Sequence, residues 1–184
     1  NKKAFTIIEL LIVIAVLAVL ATAVVIVLNP AEILKQARDS TRISDMSTLN
    51  SSIALYLADI KSPGIGGTDN TACSTATARK TEDGNCPFDA ACILNSSTTV
   101  NGAGWVLVDF INISSGSPLS RLPIDPVNDT TYFYAYACDG LTYELNANME
   151  STKFANNGGS DVESKDGGSD ANWYEIGNDP GLDL

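Results

Sequence analysis

The chain has 184 residues, enough for one domain and an appendage, and a formal net charge of −11 from 22 acidic and 11 basic residues. It contains no histidine, which excludes Ser-His-Asp and Cys-His catalysis and histidine metal sites. Of the acidic residues 17 lie after Lys61, against six Lys or Arg from Lys61 onward. Such a surface repels phosphates, so no nucleic-acid partner is expected, whereas an extracellular surface or cation binding would suit it.

The first thirty residues hold a large share of the apolar content. Leu10 to Leu28 is a run of 19 residues with one polar member, Thr22. As a helix it spans roughly 28 Å, about the hydrocarbon thickness of a bilayer. Lys2 and Lys3 precede it, which predicts a cytoplasmic N-terminus. A secretory h-region is shorter, about 7 to 15 residues, and a buried core helix would show a polar face, so residues 10–28 read as a membrane-spanning segment. Glu9 stands at the mouth of the run, in Ala4-Phe5-Thr6-Ile7-Ile8-Glu9-Leu10-Leu11. A carboxylate at the edge of a membrane segment is costly and is functional by default. The next cation along the chain is Lys35, so a positive partner is expected from the free amine of a neighbouring chain.

This stretch resembles the N-terminal signature of type IV pilins and of the pseudopilins of type II secretion, over Lys2 to about Leu28. The resemblance implies a leader, residues 1–4, cut by a prepilin peptidase between Ala4 and Phe5. It implies methylation of the new Phe5 amine and pairing of Glu9 with the Phe5 amine of an adjacent subunit. It also implies a single-pass inner-membrane protein that pilus assembly machinery builds into an extracellular homopolymer. The usual residue before the cut is Gly; here it is Ala4.

Asn29-Pro30 interrupts the apolar run, because proline removes a backbone donor and clashes with the preceding turn. Either a kink or a new helix with Pro30 in its first turn follows. Ile43, Met46, Leu49, Ile53, Leu57 and Ile60 recur at three- or four-residue steps, one apolar stripe on a helix from about residue 31 to 61. Lys35, Arg38 and Arg42, with Glu32, Asp39 and Asp45 nearby, read first as a solvated face with local ion pairs, and alternatively as subunit contacts. Ser62-Pro63-Gly64 ends the helix.

The head covers residues 62–184. Residues 62–104 read as a long loop with a short helix near Phe88 to Leu94, stapled by cysteines. Trp105 to Ile111 reads as a strand. Tyr132, Tyr134 and Tyr136 alternate with Phe133, Ala135 and Ala137, a strand with one aromatic face; Asp139-Gly140 turns it into a partner strand over Leu141 to Met149. A last strand is expected near Trp173 to Ile176. Cys73, Cys86, Cys92 and Cys138 are all in the head, and an even number in an exported chain fits disulfides. Neighbours in sequence suggest Cys73–Cys86 and Cys92–Cys138.

Asp161, Glu163, Asp166 and Asp170 crowd a glycine-rich loop. Calcium takes hard oxygens from such loops, and the resemblance to major pseudopilins implies calcium at this end of the chain, but Lys165 stands where an EF-hand would place its third ligand, so a solvated acidic loop is the preferred reading. Otherwise no cofactor is expected. The predicted fold is α+β: a long N-terminal helix, kinked near Pro30, packed on a small antiparallel sheet with long disulfide-stapled loops. The function read from it is a non-enzymatic subunit polymerising into an extracellular pilus-like filament for adhesion, motility or surface contact. A secretion pseudopilin is the neighbouring reading. A membrane-anchored surface enzyme or binding module is the reading of another class.

Overall fold

The computed structural model describes residues 5–184, so the expected leader, residues 1–4 with Ala4 at its end, lies outside the described residues. The chain divides into two compact units, Asn1–Lys35 and Gln36–Leu184.

In the first unit, helix α1 spans Ile7–Leu28 and stops at Asn29, which adopts the left-handed conformation (φ 40°, ψ 72°). Asparagine tolerates this geometry better than most residues, and a left-handed residue is a common helix stop. Helix α2, Pro30–Asp59, starts at once. The fixed φ of Pro30 suits a first helical position. The Asn29 carbonyl accepts hydrogen bonds from Glu32 N (3.0 Å) and Ile33 N (3.3 Å), which closes the first turn of α2. The expected break near Pro30 is therefore a one-residue interruption at Asn29.

In the second unit, α2 from Gln36 onward packs on a five-stranded sheet of order β2-β1-β3-β4-β5. The strands are β1 (Cys73–Lys80), β2 (Cys92–Leu94), β3 (Tyr134–Gly140), β4 (Thr142–Ala147) and β5 (Tyr174–Gly177). Strands β1 and β2 run parallel and the other pairs are antiparallel, so the sheet is mixed rather than antiparallel. The core between helix and sheet contains Met46, Leu49, Ile53 and Tyr56 of α2, with Trp105, Tyr134, Tyr136, Tyr143 and Leu145. Of the predicted stripe, Met46, Leu49 and Ile53 are fully buried, and Ile43, Leu57 and Ile60 pack at the margin. Tyrosines tie the layers together through their hydroxyls: Tyr134 donates to Asp45 (2.8 Å), Tyr143 to Asn50 (2.6 Å) and Tyr136 to the Ile65 carbonyl (2.8 Å). The tyrosine row is thus cross-layer packing with each polar tip satisfied.

Several expectations are corrected. The supposed loop of 62–104 contains β1 and β2, and no helix forms near Phe88 to Leu94. Trp105 to Ile111 is not a strand: Trp105, Val106, Leu107 and Val108 are all buried in succession, and only Asp109 makes a β-bridge, to Asn101. The run has no neighbouring strand to pair with, since that single bridge is its one ladder contact among the described residues, and β-propensity without a partner does not make a strand. The hairpin is where it was expected. Asp139 pairs with Thr142, and Gly140 takes the positive φ of 61° that the tight turn demands.

The four cysteines form two disulfides, as expected, but with other partners: Cys73–Cys138 and Cys86–Cys92. Eight residues of extended β1, rising about 3.3 Å each, carry the chain from Cys73 away from Cys86. Pairing with β3 brings Cys138 within reach instead, with Cα atoms 6.1 Å apart.

Candidate functional site

The apolar helix begins with a local device. Thr6 caps α1: its hydroxyl oxygen accepts a hydrogen bond from Glu9 N (3.3 Å). Glu9 Oε2 accepts in return from Thr6 N (2.9 Å) and Thr6 Oγ1 (2.6 Å). This is a capping box, satisfying two of the donors that a helix start leaves open. Thr-x-x-Glu before an apolar run was a readable signal for it. Glu9 therefore has neutral partners in its own chain, all on Oε2. Phe5 precedes the cap and is exposed.

Beyond the cap no apolar side chain among those described in α1 is covered: Ile7, Ile12, Leu17, Leu20 and Val27 are exposed, on all sides of the helix. This is the one helix among the described residues long and apolar enough to cross a membrane. Thr22, its single hydroxyl, returns its proton to the Ala18 carbonyl (2.8 Å), which removes the cost of carrying it into lipid or a helix bundle.

Residues 1–25 match the family model described as the prokaryotic N-terminal methylation motif. The chain carries the type IV pilin and pseudopilin signal motif. The matched residues include Phe5, Thr6 and Glu9, where the cap and the apolar helix begin. Neither a curated protein nor a solved structure matches the chain.

In the head, the basic residues of α2 do not form a solvated face. Arg42 is fully buried and donates from Nε (2.6 Å) and Nη2 (2.8 Å) to Asp125, and from Nη1 to Asp39 (2.7 Å). Its guanidinium also lies 5.0 Å from the centre of the Tyr132 ring. Arg38 forms a second fork, on Glu150 (2.7 and 2.5 Å). Asp39 in turn accepts from Glu150 N (2.9 Å) and Ser151 N (2.8 Å), and Asp125 from Val127 N (2.8 Å) and Asn128 N (3.2 Å). The network fastens α2 to the Leu122–Pro126 turn and to the segment after β4. Sequence spacing shows Asp39 and Arg42 as an i,i+3 pair, but the burial of both depends on Asp125, 83 residues on.

The four acidic residues of the glycine-rich loop are acceptors for loop N–H groups. Asp161 accepts from Asn157 N, Ser164 N and Ser164 Oγ. Glu163 accepts from Met149 N (2.7 Å) and Asn156 N (2.8 Å). Asp166 accepts from Gly168 N and Glu175 N, and Asp170 from Asn172 N. Asp161 and Glu163 are buried, Asp166 and Asp170 are half-buried, and Ser164, Lys165, Gly167 and Ser169 between them are exposed. Among the described residues, no group of three or more His, Cys, Asp or Glu side chains is placed to hold a metal ion. Burial pushes Glu163 up to about 7, with the neighbouring Asp39 and Asp161 charges adding to it against its two N–H donors. The Ser164 hydroxyl and amide hold Asp161 down at about 2.

An open depression of about 330 Å³ beside α2 is lined by Ser47, Thr48, Ser51, Ser52, Leu55 and Pro118. The hydroxyls of Thr48, Ser51 and Ser52 each donate to the carbonyl four residues earlier.

Proposed function

We propose that this chain is the subunit of an extracellular type IV pilus-like filament, held in the inner membrane by α1 until assembly. The observation that carries the reading is an uncovered apolar helix that begins at the methylation motif. Before assembly lipid covers α1. In the filament the α1 helices of other copies replace the lipid, so each copy exchanges one apolar environment for another at small cost. Prepilin peptidase cuts between Ala4 and Phe5. The Phe5 amine of one copy then pairs with Glu9 of the next. The capping box orients Glu9 for this: Oε2 is held by Thr6, and Oε1 is left for an incoming ammonium. Neutralising a carboxylate inside an apolar bundle makes correct axial register strongly preferred over any slip that leaves it unpaired. The acidic head keeps the fibre soluble and apart from its neighbours.

The test is intact-mass spectrometry with N-terminal peptide mapping of filaments sheared from expressing cells. The expected mature chain begins at N-methylated Phe5 and is recovered as long fibres. A chain starting anywhere else removes the Phe5–Glu9 pairing. A chain that starts at methylated Phe5 but forms no free fibres points to a secretion pseudopilus.

A further inference from the structure

The sheet of the head ends at β2, and among the described residues no strand pairs with its outer edge. This three-residue strand carries two apolar side chains in the open, Ile93 at 56% and Leu94 at 52% exposure. Apolar residues on an unpaired sheet edge are a liability that soluble domains usually avoid. Directly across from Ile93 in the β1–β2 register stands Arg79, on the same sheet face as Tyr136, its partner on β3.

Arg79 is a half-buried guanidinium whose Nε is sealed from solvent without a hydrogen-bond partner. Burial alone moves its pKa, downward, and no carboxylate opposes the shift. The other arginines that are buried or half-buried, Arg38 and Arg42, both have forked carboxylate partners. A guanidinium partly desolvated and unpaired in a chain of charge −11 is an electrostatic cost that a carboxylate from outside the chain would offset. The outside surface with that chemistry is another head, since residues 62–184 carry 17 acidic residues against five basic ones.

We propose that Arg79 and Ile93, neighbours on one sheet face at the β2 edge, form a contact surface that receives a carboxylate-bearing segment of a second copy's head. Ile93 supplies apolar area that excludes water, and Arg79 supplies the charge that selects an acidic neighbour and sets the approach. The proposal rests on the filament reading and locates a head-to-head contact that α1 packing does not provide.

The experiment compares full-length wild type with Arg79→Glu, Arg79→Lys and Ile93→Ser. Sheared filament is weighed, and the melting temperature of the detergent-solubilised monomer is recorded for each. Arg79→Glu is expected to lower filament recovery about tenfold, as like charges then face each other. Arg79→Lys, which keeps the charge but loses the fork, falls between. Ile93→Ser loses filament in the same direction. All three monomers melt within about 2 °C of wild type, because the contact is absent from the single chain. Filament yields equal to wild type for Arg79→Glu and Ile93→Ser overturn the surface. A monomer melting temperature that drops in step with the yield also overturns it, since Arg79 then serves the fold. Absence of wild-type filaments overturns the filament reading and this surface with it.

Discussion

Glu163 shows how one side chain couples the loops of the head to pH. Both oxygens accept backbone N–H groups, from Met149 and from Asn156, so it joins the end of β4 to the glycine-rich loop. Desolvation raises its pKa to about 7. A folded-state value above the unfolded one means that the contribution is fully present below about pH 4.5 and is lost as pH rises through about 7. Glu175, raised to about 8 by burial and by Glu144 beside it, acts in the same direction. Asp161, held down at about 2, acts oppositely but only below about pH 4. Chemical unfolding of the detergent-solubilised chain is therefore expected to give a stability that falls between pH 5 and pH 8. In Glu163→Gln the fall shrinks by up to about 3 kcal/mol, the linkage equivalent of the Glu163 shift. Equal slopes for the two proteins would show that Glu163 titrates normally. None of this was legible from the residues alone. Four carboxylates in a glycine-rich run look alike in sequence, and only the fold separates the buried Asp161 and Glu163 from the half-buried Asp166 and Asp170.

At the scale of elements, long-period patterns were readable and short or buried ones were not. The stripe of Met46, Leu49 and Ile53 and the Tyr134–Ala147 hairpin declare themselves, because each has one apolar and one different face. Strand β1, with the sequence Cys-Ser-Thr-Ala-Thr-Ala-Arg-Lys, has no apolar alternation. It is a strand because β3 lies on one side and β2 on the other. The disulfide pairing followed the same logic: nearness along the chain misled, since an extended strand separates Cys73 from Cys86. The attachment of α2 was also hidden. Arg42 lies on the helix as a surface residue would, and becomes internal only when Asp125 arrives from a distant turn. Replacing Arg42 by Ala leaves the Asp39 and Asp125 carboxylates buried without their cation. Removing one partner of such a group costs roughly 3–5 kcal/mol. Denaturant unfolding of Arg42→Ala should show a loss of this size with α1 untouched. A loss under about 1 kcal/mol, the usual worth of an exposed pair, would mean that the network is solvated.

For the whole molecule, the N-terminal motif was more legible than the head, for a physical reason. A motif followed by an apolar run is read from a contiguous stretch, so residues 5–28 are recognised without tertiary context. The head depends on contacts that the sequence does not order. The exposed circumference of α1 also forces a choice on the chain, because so much apolar surface must be covered by lipid or by other copies. Val13→Lys with Leu17→Lys puts two charges one turn apart on this helix, in the first half of the run. Each raises the cost of insertion by about 3 kcal/mol. A helix that relies on α1 alone for its anchor then leaves the membrane. The doubly substituted chain is expected in the carbonate-soluble fraction of expressing cells and missing from sheared filaments, while wild type stays with the membrane and enters them. Retention of the double variant in carbonate-washed membranes would show a second anchor, and filaments built from it would show that α1 does not form their core.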